Sequence, residues 1–329
     1  MYAEMDTQRK KTSVAALSIA SNSALVALKL TVGVLIGSVA VLSEAIHSAV
    51  DLIAALIAFA AVRISGKPAD EEHPFGHSKV ESISAAVEAL LIFVAAIWIV
   101  YEAVRKLISP YPLEAVGWGA GVMLLSAIVN LIVSELLFRV GRETDSAALI
   151  ADGWHLRTDV YTSAGVMAGL GLIWLGGYVL PGVDLMWLDP AIAIAVALLI
   201  LRAAYRLTRR ATEELVDRSM APEETQWIED YLSSLYPALH SFHRLRTRKA
   251  GATRFVNVHI AVDPKLTVSE SHRLGDRIVG ELKAHFPHDV DVLVHIEPCD
   301  GSCSPACKSG CLLSEEERNA AMAQGQGRG

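Results

Sequence analysis

Six stretches of this chain are about as long and as apolar as a bilayer is thick, and that limits the architecture before any motif is considered. A spanning helix needs about 20 mostly apolar residues. Such stretches occur at roughly 13–36, 39–64, 82–105, 114–138, 147–175 and 187–208. Turn-like separators divide them, such as "SPYP" at 109–112 and "GGYVLPGVD" at 176–184. The stretches are helix-length and do not alternate in ten-residue units, so they predict a helical bundle and not a membrane barrel. The 52% of hydrophobic residues is concentrated there. The polar opening "MYAEMDTQRKKTS" precedes an apolar run too long for a signal-peptide core, so the first segment reads as a retained span.

Basic residues in the short flanks set the orientation. Arg9, Lys10, Lys11, Arg63, Lys67, Lys79, Arg139, Arg142, Arg202, Arg206, Arg209 and Arg210 collect on one side, against Arg105 and Lys106 on the other. Both termini are thereby predicted to face the cytoplasm. From residue 211 the pattern changes. Helical spacing at 222–237 and 268–286, with strand-like "HRLRTRKA", "RFVNVHIAV" and "DVLVHIEP", gives the order helix, strand, strand, helix, strand. The reading is a polytopic α-helical membrane protein with six transmembrane helices and a C-terminal cytoplasmic ferredoxin-like α+β domain. Its parts are a tail at 1–12, a membrane domain at 13–210, a cytoplasmic α+β domain at 211–298 and a Cys-containing tail at 299–329. Within that tail, 312–329 lacks an apolar face and reads as disordered. A net charge of −7 gives no reason to expect nucleic acid as a partner.

Two of the oily segments repeat one pattern. "SEAIHSAVD" carries Glu44, His47 and Asp51, and "DGWHLRTDV" carries Asp152, His155 and Asp159. His and Asp four residues apart share one helix face. A charged side chain at the bilayer centre costs at least about 2.5–3.5 kcal/mol, so the doubled arrangement is tolerable if the four groups meet around a cation. Two imidazoles and two carboxylates are a workable tetrahedral set for Zn2+. The competing reading is hydrogen bonding within each helix, and the matching second copy weighs against it. Arg157 lies two positions from each ligand and points off their face. Glu44 and Asp152 either orient the imidazoles or are polar residues beside a water-filled cavity; both readings stand.

Six helices with HxxxD in the second and fifth, followed by a small α+β domain, resemble the cation diffusion facilitator family of metal/proton antiporters. The loop "PADEEHPFGHSKVES" and the segment "LRTRKAGATRFVNVHI" are similar to further signatures of that family, and the resemblance spans about residues 10–300. It implies a homodimer in the lipid bilayer, here a bacterial inner membrane, that carries divalent metal out of the cytoplasm by alternating access against inward protons. It implies a transport site at His47, Asp51, His155 and Asp159, a loop site at Asp70, His73 and His77, and a cytoplasmic site at His243, His259, His272, His295 and Glu297. Glu297 stands where the family often has Asp. Lys79 and Asp217 resemble a charge pair that couples protomers, against the alternative of an ordinary surface pair. His240, His285 and His288 match nothing in the family and read as surface residues. Zn2+ is the expected substrate and regulatory ligand, with cadmium also carried and no organic cofactor.

Chemistry supports antiport independently, because ligands shed protons to take metal and imidazole titrates near neutral pH. All four cysteines, Cys299, Cys303, Cys307 and Cys311, fall four apart in "CDGSCSPACKSGC". That is not a zinc-ribbon spacing, so metal capture and a reduced tail both stand. An enzyme is disfavoured, since no HExxH-like base accompanies the ligands. A zinc-responsive membrane sensor or scaffold without transport is the remaining alternative.

Overall fold

The computed structural model describes residues 2–36, 39–108, 118–179, 187–286, 288–299 and 305–325. It divides into two compact units, Met1–Leu215 and Val216–Gly329.

The first unit is six long helices: α1 (Tyr2–Ile36), α2 (Val39–Ser65), α3 (Lys79–Ile108), α4 (Trp118–Glu143), α5 (Ala147–Val179) and α6 (Leu188–Leu215). By length and composition alone, α1, α3, α4 and α6 can cross a membrane. α2 and α5, of 27 and 33 residues, carry the HxxxD motifs. One boundary differs from the sequence reading: residues taken as a polar tail at 1–12 are helical from Tyr2. The physical reason is a buried partner. Lys11 Nζ, 6% exposed, donates to Glu81 Oε1 at 3.0 Å. The same carboxylate accepts from Ser65 Oγ at 2.7 Å and from Ser146 Oγ, which also caps the start of α5 by accepting from Leu149 N–H. One glutamate at the head of α3 thus ties α1, α2 and α5 together.

Small residues let these helices approach closely. Ala85, Ala89 and Ala96 of α3 share a cluster with Ala204, Leu207 and Ala211 of α6. Between α4 and α5 a Cβ on Gly153 would stand 2.9 Å from the Phe138 ring. The buried seam of α1 is less expected. Lys11, Ala15, Ser18, Asn22, Leu25 and Lys29 recur at spacings of four and three and are all buried. Four of these six are polar, so α1 turns a polar stripe into the bundle.

The second unit is α7 (Pro222–Ser234), β1 (Ser241–Ala250), β2 (Thr253–Val262), α8 (Val268–His285), β3 (Val290–Pro298), α9 (Pro305–Ser309) and α10 (Glu315–Gly325). The sheet order is β1-β2-β3, antiparallel then parallel. Val256, Val258, Ile260 and Val262 of β2 alternate inward onto Ile228, Leu232, Leu274, Ile278 and Leu282 of the two helices. The opposite face of the sheet is left for other work.

The tail is ordered where disorder was expected. Phe242 N–H donates to Gly310 O at 3.1 Å, and Leu312 N–H donates to His240 O at 2.9 Å. The segment around Cys311 therefore pairs with the free edge of β1. Only glycine fits at 310, where a Cβ would meet Phe242 O at 1.7 Å. Ser314 and Glu317 then form a reciprocal cap that starts α10, and Tyr236 donates to Glu317 at 2.6 Å. That cap, Ser-x-x-Glu, was the overlooked sequence signal.

Candidate metal centres

In the helical unit, α2 and α5 bring Asp51 and His155 together. His155 Nε2 lies 3.0 Å from Asp51 Oδ1, with both residues buried. Asp159, one turn further along α5, is within electrostatic range of His155. Its Oδ2 accepts from Asn130 Nδ2 of α4 at 3.5 Å. His47 stands one turn before Asp51 on α2, but its side chain and that of Glu44 lie outside the described residues. Asp152 is fully buried. Arg157 turns off this face and donates to Glu135 at 2.9 Å, as its position on the helix demanded. Lys29 Nζ donates to Ser48 Oγ at 2.7 Å, which puts the polar stripe of α1 beside the α2 motif.

A tetrahedral zinc about 2.1 Å from its ligands holds them roughly 3.4 Å apart. That spacing tests each cluster. In the loop, His73 Nδ1 is 3.3 Å and His77 Nε2 3.4 Å from the two oxygens of Asp70. The His73 backbone N–H bonded to Asp70 holds its carboxyl below the usual range, keeping it ionised. A turn with Gly76 at φ 80° lets the chain bring His77 back.

In the second unit the three strands align three histidines. His243 pairs with His259, and His259 with His295, so the imidazoles form a row across the sheet on the face away from the core. Glu297, two residues beyond His295, faces all three: His259 Nδ1 at 2.8 Å, His243 Nε2 at 3.4 Å and His295 Nε2 at 3.5 Å. The Glu in place of Asp therefore reaches. A register shift between His243 and Arg246, with Arg244 at φ 51°, re-aims β1 just past its ligand. Burial pushes the His243 imidazole below its ordinary pKa, and the bond from His259 holds Glu297 low as well. Both shifts favour the proton-free side chain.

His272 is not gathered with the other three histidines: it lies on α8 beside Asp276, at 3.5 Å, and is largely exposed. Asp217 accepts from Arg248 at 3.1 Å. Lys79 Nζ donates to the Leu215 carbonyl at 3.4 Å. Cys303 lies outside the described residues. Cys299, Cys307 and Cys311 are not in disulfides, and among the described residues no metal-sized cluster contains them. Cys307 instead packs its sulfur on Ser241 Oγ at 3.5 Å. His285 is at the surface as read, stacked on Trp227.

The sequence fits the profile of the cation efflux transmembrane domain over residues 15–216 and that of the cation efflux protein cytoplasmic domain over 220–299. The chain belongs to the cation efflux, or cation diffusion facilitator, family. A cation-efflux pump FieF of Salmonella choleraesuis is 33% identical over 289 residues, covering 88% of this chain and 92% of the relative. An uncharacterized transporter of Synechocystis sp. is 37% identical over 294 residues, covering 89% and 92%. Among solved structures, the metal-bound C-terminal domain of the CzcD transporter from Thermotoga maritima is 30% identical, covering 24% of this chain and 94% of that one at a TM-score of 0.22. As a cation efflux protein the chain is an integral membrane transporter of metal cations and not an enzyme.

The sequence reading missed Asn130, Ser18, Asn22, Lys29, Glu81 and Glu88, all buried polar residues of the helical unit. Their signal is a polar residue inside an apolar helix, as in "IVNLIV" around Asn130.

Proposed function

We propose that this protein exports zinc, and with it cadmium, from the cytoplasm in exchange for protons. It works as a homodimer in a bacterial inner membrane, with all six helices crossing and both termini cytoplasmic. The observation that carries this reading is the buried Asp51–His155 contact between α2 and α5 of the helical bundle. An imidazole nitrogen and a carboxylate at hydrogen-bond distance hold a proton between them. A metal ion that takes the same two atoms must displace it. His47 and Asp159, on the same faces, complete a set of two nitrogen and two oxygen ligands suited to tetrahedral zinc. Loading at neutral cytoplasmic pH and discharge toward a more acidic exterior follow from one competition between metal and protons.

The loop cluster is a metal-receiving station on the way to that site. The His243–His259–His295–Glu297 row is a zinc site that responds to cytoplasmic metal, with His272 supplied across the dimer and Lys79 and Asp217 linking the protomers. The deciding experiment is zinc and proton flux in proteoliposomes under a set pH gradient. Wild type moves both, and Asp51→Ala moves neither. Zinc bound without flux in wild type would replace this reading with a sensor or scaffold.

A further inference from the structure

Beyond the four transport-site residues, the helical unit buries a second pair of acids. Glu88 on α3 and Asp152 on α5 are both 0% exposed. Ser84 Oγ donates to Glu88 Oε1 at 3.0 Å, while Glu88 Oε2 and both oxygens of Asp152 have no hydrogen-bond partner among the described residues. The charge of each carboxylate acts on the other. Asp152 also lies within electrostatic range of Asp51 and His155, and the Ser18 hydroxyl faces it from α1 without closing a bond. From α6, the residues clustered with α3 around Ala85 and Ala89 are apolar.

An ionised carboxylate in a dry bundle needs donors, and these two have one bonded hydroxyl, that of Ser84, with the Ser18 hydroxyl nearby. Two carboxylates in mutual range, buried and short of donors, do not both ionise; one keeps a proton. We propose that Glu88 is a proton-holding residue of the transport cycle, linked through Asp152 to the metal ligands and distinct from them. With no metal bound, a carboxyl O–H persists on the Glu88–Asp152 pair. When metal brings its positive charge to the ligands, that O–H breaks and the proton passes to water on the cytoplasmic side, leaving a second carboxylate to balance the cation. When metal departs, a proton taken from water on the far side forms the O–H again. No electrons are exchanged, so no further reactant is required. Asp152 is thereby the link between the proton store and the ligands.

The inference rests on the proton-coupled reading above, and the test separates the two. Full-length wild type, Glu88→Gln and Glu88→Asp are reconstituted, and zinc and proton movements are recorded together across a series of pH values. Glu88→Gln keeps the Ser84 contact and the side-chain volume. It is expected to bind zinc with wild-type stoichiometry, to move fewer protons per zinc and to lose the pH dependence of its flux. Glu88→Asp restores part of that dependence. In infrared difference spectra between zinc-free and zinc-loaded protein, wild type shows a carboxylic-acid C=O band that Glu88→Gln lacks. A wild type that couples protons while Glu88→Gln couples them equally overturns this inference alone; a wild type that moves zinc without protons overturns both. If Glu88→Gln does not assemble, the wild-type infrared spectrum decides, and the absence of any zinc-sensitive acid band overturns the proposal.

Discussion

His155 Nε2 of α5 and Asp51 Oδ1 of α2 lie 3.0 Å apart although 104 residues separate them in sequence. That contact turns two separate helix motifs into one site, and ligands that act as a unit respond non-additively to removal. Asp51→Ala and His155→Ala are each expected to abolish most zinc binding, and the double substitution to add little. Isothermal titration on the detergent-solubilised protein measures this. Additive losses would mean that the two residues serve different sites.

Asn130 Nδ2 of α4 donates to Asp159 Oδ2 at 3.5 Å. Groups that orient ligands typically contribute about 10–100-fold in metal affinity. Asn130→Ala should weaken zinc binding by roughly tenfold and raise the zinc concentration for half-maximal flux, with the dimer intact. A variant with unchanged zinc dependence would leave Asn130 a packing residue.

Gly153 is where α5 meets the Phe138 ring of α4, two residues before His155. Gly153→Ala forces the ring or the helix to move, at about 1–3 kcal/mol for overpacking. Expected outcomes are a lower melting temperature in detergent and slower zinc flux. Phe138→Leu in the same background should recover both, because it removes the obstructing edge.

Glu81 anchors three other elements through one carboxylate, and its partner Lys11 is equally buried. Breaking a buried pair by removing one partner costs about 3–5 kcal/mol. Glu81→Ala should therefore unfold at markedly lower temperature, and Lys11→Met/Glu81→Leu should be milder than Glu81→Ala alone. The reverse order would show that the carboxylate acts through the serines and not through Lys11.

How much of this was legible depended on whether a residue works through its neighbours in sequence. The six helices, the αββαβ order and the HxxxD pairs are periodic signals, and apart from the start of α1 and the end of α6 the structure places the elements within a few residues of the expected bounds. The Glu81 knot is not periodic, because its four participants come from four segments that only the fold brings together. The heptad-like polar stripe of α1 was readable but was masked by counting apolar residues without asking which face they occupy. The tail failed for another reason: α9 and α10 dock by backbone pairing at the β1 edge, which needs no apolar face.

Acidification should loosen the second unit. Burial holds His243 below its ordinary 6.5, and the bond from His259 holds Glu297 below its ordinary 4.5. In both cases the unfolded chain takes up a proton at higher pH than the folded one, so stability rises with pH through each window. The His243 contribution is present above about 6.5 and is lost as pH falls toward its folded value; that of Glu297 follows below 4.5. Thermal unfolding of the second unit in metal-free buffer checks this, and His243→Gln should remove the upper of the two steps.

The row of histidines exists because three strands hold one alignment, His243 beside His259 beside His295. A strand that slips by a single position sends every side chain to the opposite face. For β2 that slip would drive His259 into the space of Val258 and Ile260 and expose both valine and isoleucine to water. Misalignment therefore cannot yield a well-folded domain that merely lacks its metal site. The same apolar alternation that folds this domain also proofreads the alignment of its three histidines.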